Sequence, residues 1–294
     1  MRLIVGYLAT PSGADGLALG VRLARTLGAE IDLCIVLPPG RSMGHTGGAN
    51  YDELVAAQAQ QWLSEAAATV PADVKVTTHV SFNESFAEGL ILECARLQAE
   101  ALVVGAAGDG LIGRYSVGAV TGELLYCAPV PLALAPRGTR HSTIERVREV
   151  TCALGRRQGG DLLLDYAVRA SAAAGTPLRL VSLVALDPVF GALRADDEAV
   201  RTQAVEHAAL MLDAAKAELP EGFPVTSTVA DGPTIESAVN KLEWHDGDLI
   251  MVGSSRLAAP RRLFLGSTAG KMLSVLEVPM VVVPREQFTE EDLP

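Results

Sequence analysis

Apolar residues in this chain come in short runs separated by amphipathic stretches, and the whole alternation occurs twice. Residues 3–7 and 31–37 read as buried strands, and residues 17–27, closed by Gly28, have the spacing of an amphipathic helix. A helix over 51–70 stopped by Pro71, a strand over 74–80, a helix over 86–97 and a strand over 101–104 complete the first series. After a polar stretch at 136–145 the order returns, with strands at 150–154, 178–184, 225–229 and 249–252 and helices at 162–174, 199–219 and 233–242. Each series closes on an apolar run, 131–135 and 280–283. Strands separated by helices predict parallel sheets with right-handed crossovers.

The two series are copies. Gly105, Gly118 and Pro136 recur as Gly253, Gly266 and Pro284, each 148 positions later (105 to 253, 118 to 266, 136 to 284). At the end of the first strands Leu8 pairs with Leu154, 146 apart (8 to 154). The expected architecture is α/β, two Rossmann-like doubly wound parallel sheets in tandem. The domains are expected at 1–136 and 146–284, with a linker at 137–145 and an acidic tail at 285–294. The terminal apolar runs are edge strands that need covering, and pairing them with each other makes the chain an intramolecular pseudo-dimer. Association of two chains into a homodimer is compatible with this.

Composition narrows the partners. The 294 residues carry a formal charge of -11 and only 4% aromatics, and both halves are acidic. Neither nucleic acid nor an anionic membrane suits such a surface. No apolar run reaches the roughly 20 residues of a membrane helix, no leader pattern opens the chain, and the four cysteines lack ligand spacing, so the expectation is a reduced, soluble, cytoplasmic protein. No catalytic constellation emerges: none of the five histidines has metal-pair spacing, and no serine sits in a nucleophile elbow. Glu88, Glu93 and Glu236 read as solvated helix faces.

Chemistry concentrates in the loops after the fourth strands. The first reads Gly105-x2-Gly108-x9-Gly118-Ala119, the second Gly253-x2-Arg256-x9-Gly266-Ser267. Glycine lets backbone approach phosphate oxygens, and a helix opening after the last glycine offers free amides and a positive dipole end. Equally, such glycines can serve only to turn the chain. The run Gly108-Asp109-Gly110-Leu111-Ile112-Gly113 matches a dinucleotide fingerprint in letters but follows a fourth strand and is followed by Arg-Tyr-Ser, not a long helix. Gly270-Lys271 fails as a P-loop because Leu265 and Met272 stand at its required positions.

Strand order and the Gly-x2-Gly-x9-Gly-Ser/Thr pattern together resemble the universal stress protein family in its tandem, actinobacterial form, over nearly the whole chain. The resemblance implies an adenine nucleotide alpha hydrolase-like fold, a stress-response role, and ATP binding, with Mg as companion ion, in many members. Carried over by position, Gly105, Gly108 and Gly118 match in the first half, with Ala119 at the hydroxyl position and Thr121 beyond it. Gly253, Gly266 and Ser267 match in the second, with Arg256 replacing a glycine. Val36 and Leu183 would lie against adenine, and Leu8 and Leu154 stand where a ribose-binding Asp is usual. Arg256 reads as a steric block or as a phosphate partner. Two functions remain, an ATP-binding stress-response protein with degenerate sites or a nucleotide-free scaffold acting through interaction surfaces.

Overall fold

The computed structural model describes residues 1–40, 48–106, 114–116, 118–155, 161–185, 197–255 and 263–285. The first half is β1 (Arg2–Gly6), α1 (Pro11–Leu27), β2 (Glu30–Leu37), α2 (Gly48–Ala67), β3 (Val76–Phe82), α3 (Phe86–Arg96), β4 (Ala101–Gly105), α4 (Ala119–Cys127) and β5 (Leu132–Ala135). The second is β6 (Glu149–Ala153), α5 (Asp161–Ala174), β7 (Leu178–Ala185), α6 (Asp197–Ala217), β8 (Val225–Gly232), α7 (Ile235–Asn240), β9 (Asp248–Gly253), α8 (Ser267–Val275) and β10 (Met280–Val283).

The strands form one ten-stranded sheet in the order β3-β2-β1-β4-β5-β10-β9-β6-β7-β8. Every neighbouring pair is parallel except β5 and β10, which run antiparallel in the register Met280 to Leu134 and Val282 to Leu132. The two parallel sheets expected from the sequence are therefore halves of a continuous one. Both seam strands are fully buried, LALA in one and MVVV in the other, so each covers an edge the other would expose. The cores also cross the seam. On one face Leu3, Val5 and Leu33 belong to a cluster that runs through Ala133 and Val281 to Cys152 and Leu180. On the other, Ile4, Cys34 and Val36 connect through Leu132 and Met280 to Ile250.

Helix α1 begins at Pro11, well before the periodic stretch that marked it in the sequence. Thr10 caps it, accepting from the Gly13 amide at 3.1 Å, and proline sits in the first turn. Its glycines would weaken an isolated helix. Here they bring the helix onto the sheet: a Cβ on Gly16 would lie 2.7 Å from the Gly105 amide nitrogen.

The linker is fastened along α1. Buried Asp15 accepts from the Gly138 and Arg140 amides at 3.1 and 2.9 Å and pairs with the Arg140 guanidinium at 2.8 Å. Further along, the Val147 amide donates to the Thr26 hydroxyl at 2.9 Å. Composition marked this stretch as a polar joint, and a buried carboxylate makes it a defined turn, 3-10 over Thr139–His141.

Candidate functional site

In each half the strand order reverses between the first and fourth strands, the place where α/β sheets of this kind hold ligands. In the first half α1 fills much of it. A Cβ on Gly105 would lie 2.5 Å from the Ser12 hydroxyl and closer still to the Ser12 carbonyl oxygen. Gly105 is thus required for helix packing. At the other end of the loop Gly118 and Ala119 are exposed at the start of α4, which has no side-chain cap. Thr121 is buried, its hydroxyl 3.5 Å from the Gly105 carbonyl. Val36 is buried beneath α3, its Cγ1 2.5 Å from where a Cβ on Gly89 would be. Gly108 lies outside the described residues.

The second half is more open. Gly253 is exposed, and the nearest atom to a Cβ built there is Leu163 Cδ2 at 3.6 Å, an ordinary contact. The chain leaving β9 is stitched to the chain entering α8: the Ser255 amide donates to the Phe264 carbonyl and the Phe264 amide to the Ser254 hydroxyl, both at 2.8 Å. Gly266 follows as the N-cap of α8 with no side-chain cap, and Ser267 is exposed in the first turn. The amides of that turn therefore have no side-chain acceptor, as an anion-binding helix start requires. Leu183 is half-buried against the core. Arg256 and its neighbours Arg261 and Arg262 lie outside the described residues, as do Arg156, Arg157 and His45.

The register corrects one pairing. The Tyr7 amide donates to the Cys34 carbonyl and the Leu154 amide to the Val181 carbonyl, both at 2.8 Å, and Gly6 and Ala153 hold matching places in the ladders. Leu154 is the counterpart of Tyr7, and Gly155 that of Leu8. Sequence comparison slipped by one because both strands run into apolar residues. Leu8 is 47% exposed beside the crevice, whereas Leu154 packs on the core.

Both loops also grip the opposite half. The Leu263 and Leu265 amides donate to the Ala128 and Leu125 carbonyls at the end of α4, at 3.1 and 3.2 Å, and Phe264 meets Tyr126 edge-on at 5.1 Å. In return the Tyr115 hydroxyl donates to the Val278 carbonyl beyond α8, at 2.5 Å. Burial pushes the Tyr115 phenol well above its ordinary value, so it remains a donor.

Sequence reasoning passed over a polar network on β1, β2 and β3. Arg2 holds buried Asp32 bidentately at 2.8 and 2.7 Å, and His79 Nε2 lies 2.8 Å from the same carboxylate. Arg96 Nη2 is 3.2 Å from His79 Nδ1. A guanidinium only donates, so Nδ1 accepts and Nε2 carries the proton given to Asp32. Glu93, expected to be solvated, is buried and paired with Arg96 at 2.5 Å. Polar residues at alternate strand positions were the available signal; their convergence depends on register.

Among the described residues no cluster of His, Cys, Asp and Glu could hold a metal, and no helix is long and apolar enough to cross a membrane. A model described as the universal stress protein family matches residues 1–136 and 147–284. A universal stress protein of Mycobacterium tuberculosis is 27% identical over 298 residues, covering 97% of this chain and all of that one. Among solved structures, a universal stress protein from Archaeoglobus fulgidus superposes with a TM-score of 0.71 at 17% identity, over 97% of this chain and 98% of that chain. A functionally unknown protein from Pseudomonas aeruginosa does so at 0.58 and 16% identity, over 96% and 92%.

Proposed function

The chain belongs to the universal stress protein family, and from that premise we propose that it is a stress-response protein that binds ATP, with Mg, at the loop between β9 and α8. The loop between β4 and α4 is then the weaker of two unequal sites. The observation that carries this reading is the exposed, unpacked Gly253, joined through Ser254 and Ser255 to the uncapped start of α8. Glycine there answers no packing need, which supports close approach of a ligand as its physical reason. Exposed Ser267 adds a hydroxyl donor beside the free amides. The first-half loop has Ala119 in that place and a Gly105 already covered by Ser12.

A scaffold reading draws on a different observation, the use of both loops as fasteners between the halves. One experiment separates the two. The purified protein is denatured and assayed for released adenine nucleotide, and its melting is followed against ATP with magnesium. Binding predicts a rise in Tm that Ser267→Ala reduces, with affinity falling about fivefold for the loss of one hydrogen bond. No nucleotide and no shift at millimolar ATP would leave the scaffold reading.

A further inference from the structure

A cavity of about 280 Å³ lies between the linker and the turn that leads into β9, with Arg114 of the β4–α4 loop among its lining residues. Its wall includes Arg22 of α1, only 5% exposed. Arg22 Nε donates to the Ile144 carbonyl at 3.1 Å and Nη2 to the Ser142 hydroxyl. The terminal edge is poorly matched. Asp246 Oδ1 is 3.4 Å from Nη2, and Nη1 has no hydrogen bond to a described residue. Asp246 itself is 56% exposed, so much of its charge is spent on water. Burial pulls the guanidinium below its ordinary value, with Asp246 opposing, the mark of a cation short of counter-charge. At the rim Arg114 and Glu277 stand 3.9 Å apart and largely offset each other. Trp244, Pro136 and Pro279 supply an apolar wall, and Trp244 is fixed by its indole N–H, which donates to the Val239 carbonyl at 3.3 Å.

We propose that this cavity binds a small organic oxyanion, its carboxylate or phosphate seated on the Nη1–Nη2 edge of Arg22 and its flat or apolar body against Trp244 and the two prolines. The terminal edge of a guanidinium is the fork that receives two oxygens of one anion. The size and mixed lining suit a metabolite-sized ligand, and junctions between repeated units are where such sites recur. Because Arg22 and Ser142 belong to the first half and linker, and Trp244 and Asp246 to the second, the ligand would bridge them. None of Gly118, Ala119, Gly253, Gly266 and Ser267 lines the cavity, so binding here does not require nucleotide at those positions.

The chain contains two tryptophans, so the indole N–H signals of the full-length protein report the site and an internal control at once. Benzoate and phenyl phosphate are titrated as probes, with benzamide as the neutral isostere. The expected result is a saturable shift of the Trp244 signal, with Trp62 unmoved, for at least one anion and not for benzamide; the tighter anion identifies the head group. Arg22→Met should abolish the shift, but it also removes ties to the linker. Asp246→Asn therefore carries the test, because it removes a competing carboxylate from an exposed side chain and should tighten the anion by about threefold. The proposal is overturned if neither anion moves Trp244 saturably, if benzamide matches them, or if Asp246→Asn leaves the affinity unchanged or weaker.

Discussion

In the first half Ser12 rests on Gly105, while in the second only a leucine methyl approaches Gly253. The helices explain it. Helix α1 opens Pro-Ser-Gly-Ala-Asp-Gly and can lie backbone to backbone on β4; α5 opens Asp-Leu-Leu-Leu, and its leucines stand between helix and sheet. The same glycine is therefore a packing requirement in one copy and uncovered in the other. A second contrast lies at the strand starts. Arg2 on β1 and Asp32 on β2 form an ion pair, and at the matching places Glu149 on β6 and Arg179 on β7 form one at 3.0 Å with the signs exchanged. The neighbours follow the sign. Buried Asp32 collects donors from Arg2 and His79, whereas Arg179 donates to the Thr151 hydroxyl and the Glu243 carbonyl and stacks on Trp244 at 4.9 Å. Arg179 Nη2 is left without a hydrogen-bond partner among the described residues. A duplicated frame preserves the place of an ion pair and leaves its polarity free.

The sharpest break of this symmetry is a matched alanine pair. Gly105→Ala drives a Cβ into the Ser12 backbone and should cost about 3 kcal/mol in urea unfolding. Gly253→Ala meets only an ordinary contact with Leu163 and should change stability by no more than about 1 kcal/mol, in the stabilising direction through the unfolded chain. Equal costs in the two halves would refute the assignment of roles.

The ion pairs come next. Asp32→Asn should cost about 2 kcal/mol, because charge-assisted bonds to a buried carboxylate are lost. Glu149→Gln should cost at most about 1 kcal/mol, since Glu149 is partly solvated and Arg179 keeps its other partners. Burial works to raise the Asp32 carboxyl, but hydrogen bonds from Arg2 and His79, reinforced by charge, hold it below its ordinary 3.8. A native value below the unfolded one means that this stabilisation is complete above the ordinary carboxylate range and is lost as pH falls through the depressed native value. Unfolding measured across that acid range should show a steeper fall for the wild type than for Asp32→Asn.

The smallest effects concern the seam. Tyr115→Phe removes one buried hydrogen bond to Val278 and should cost about 1 kcal/mol. Phe264→Ala, losing an edge-on contact with a half-exposed Tyr126, should cost about the same or less, because the Leu263 and Leu265 amides that cap α4 are main chain and survive it. Thermal unfolding that splits into two transitions in Tyr115→Phe alone would show that the first-half loop dominates the grip.

The strands and most helices were legible because burial on both faces imposes continuous apolar runs and helix packing imposes a 3.6-residue period. The start of α1 was not, since its glycines follow from contact with β4 and not from local preference. The one-residue slip between Leu8 and Leu154 has the same origin: only hydrogen bonds to β2 and β7 fix where each first strand stands. Of the candidate site, the two loops and their unequal residues were readable as text. Which glycine bears packing and which lies open was not.

By itself the sequence determined the duplication, the order of elements, the acidic surface and the pairing of the last strands, because each is written in periodicity, spacing or composition. Tertiary structure decided that Asp15 pins the linker, that Asp32 meets His79, that Arg22 is buried with its terminal edge poorly matched, and that Gly253 alone of the two strand-end glycines is uncovered. Those facts are distances between residues far apart in the chain, and a local pattern cannot encode a distance that exists only once the sheet and its helices have packed.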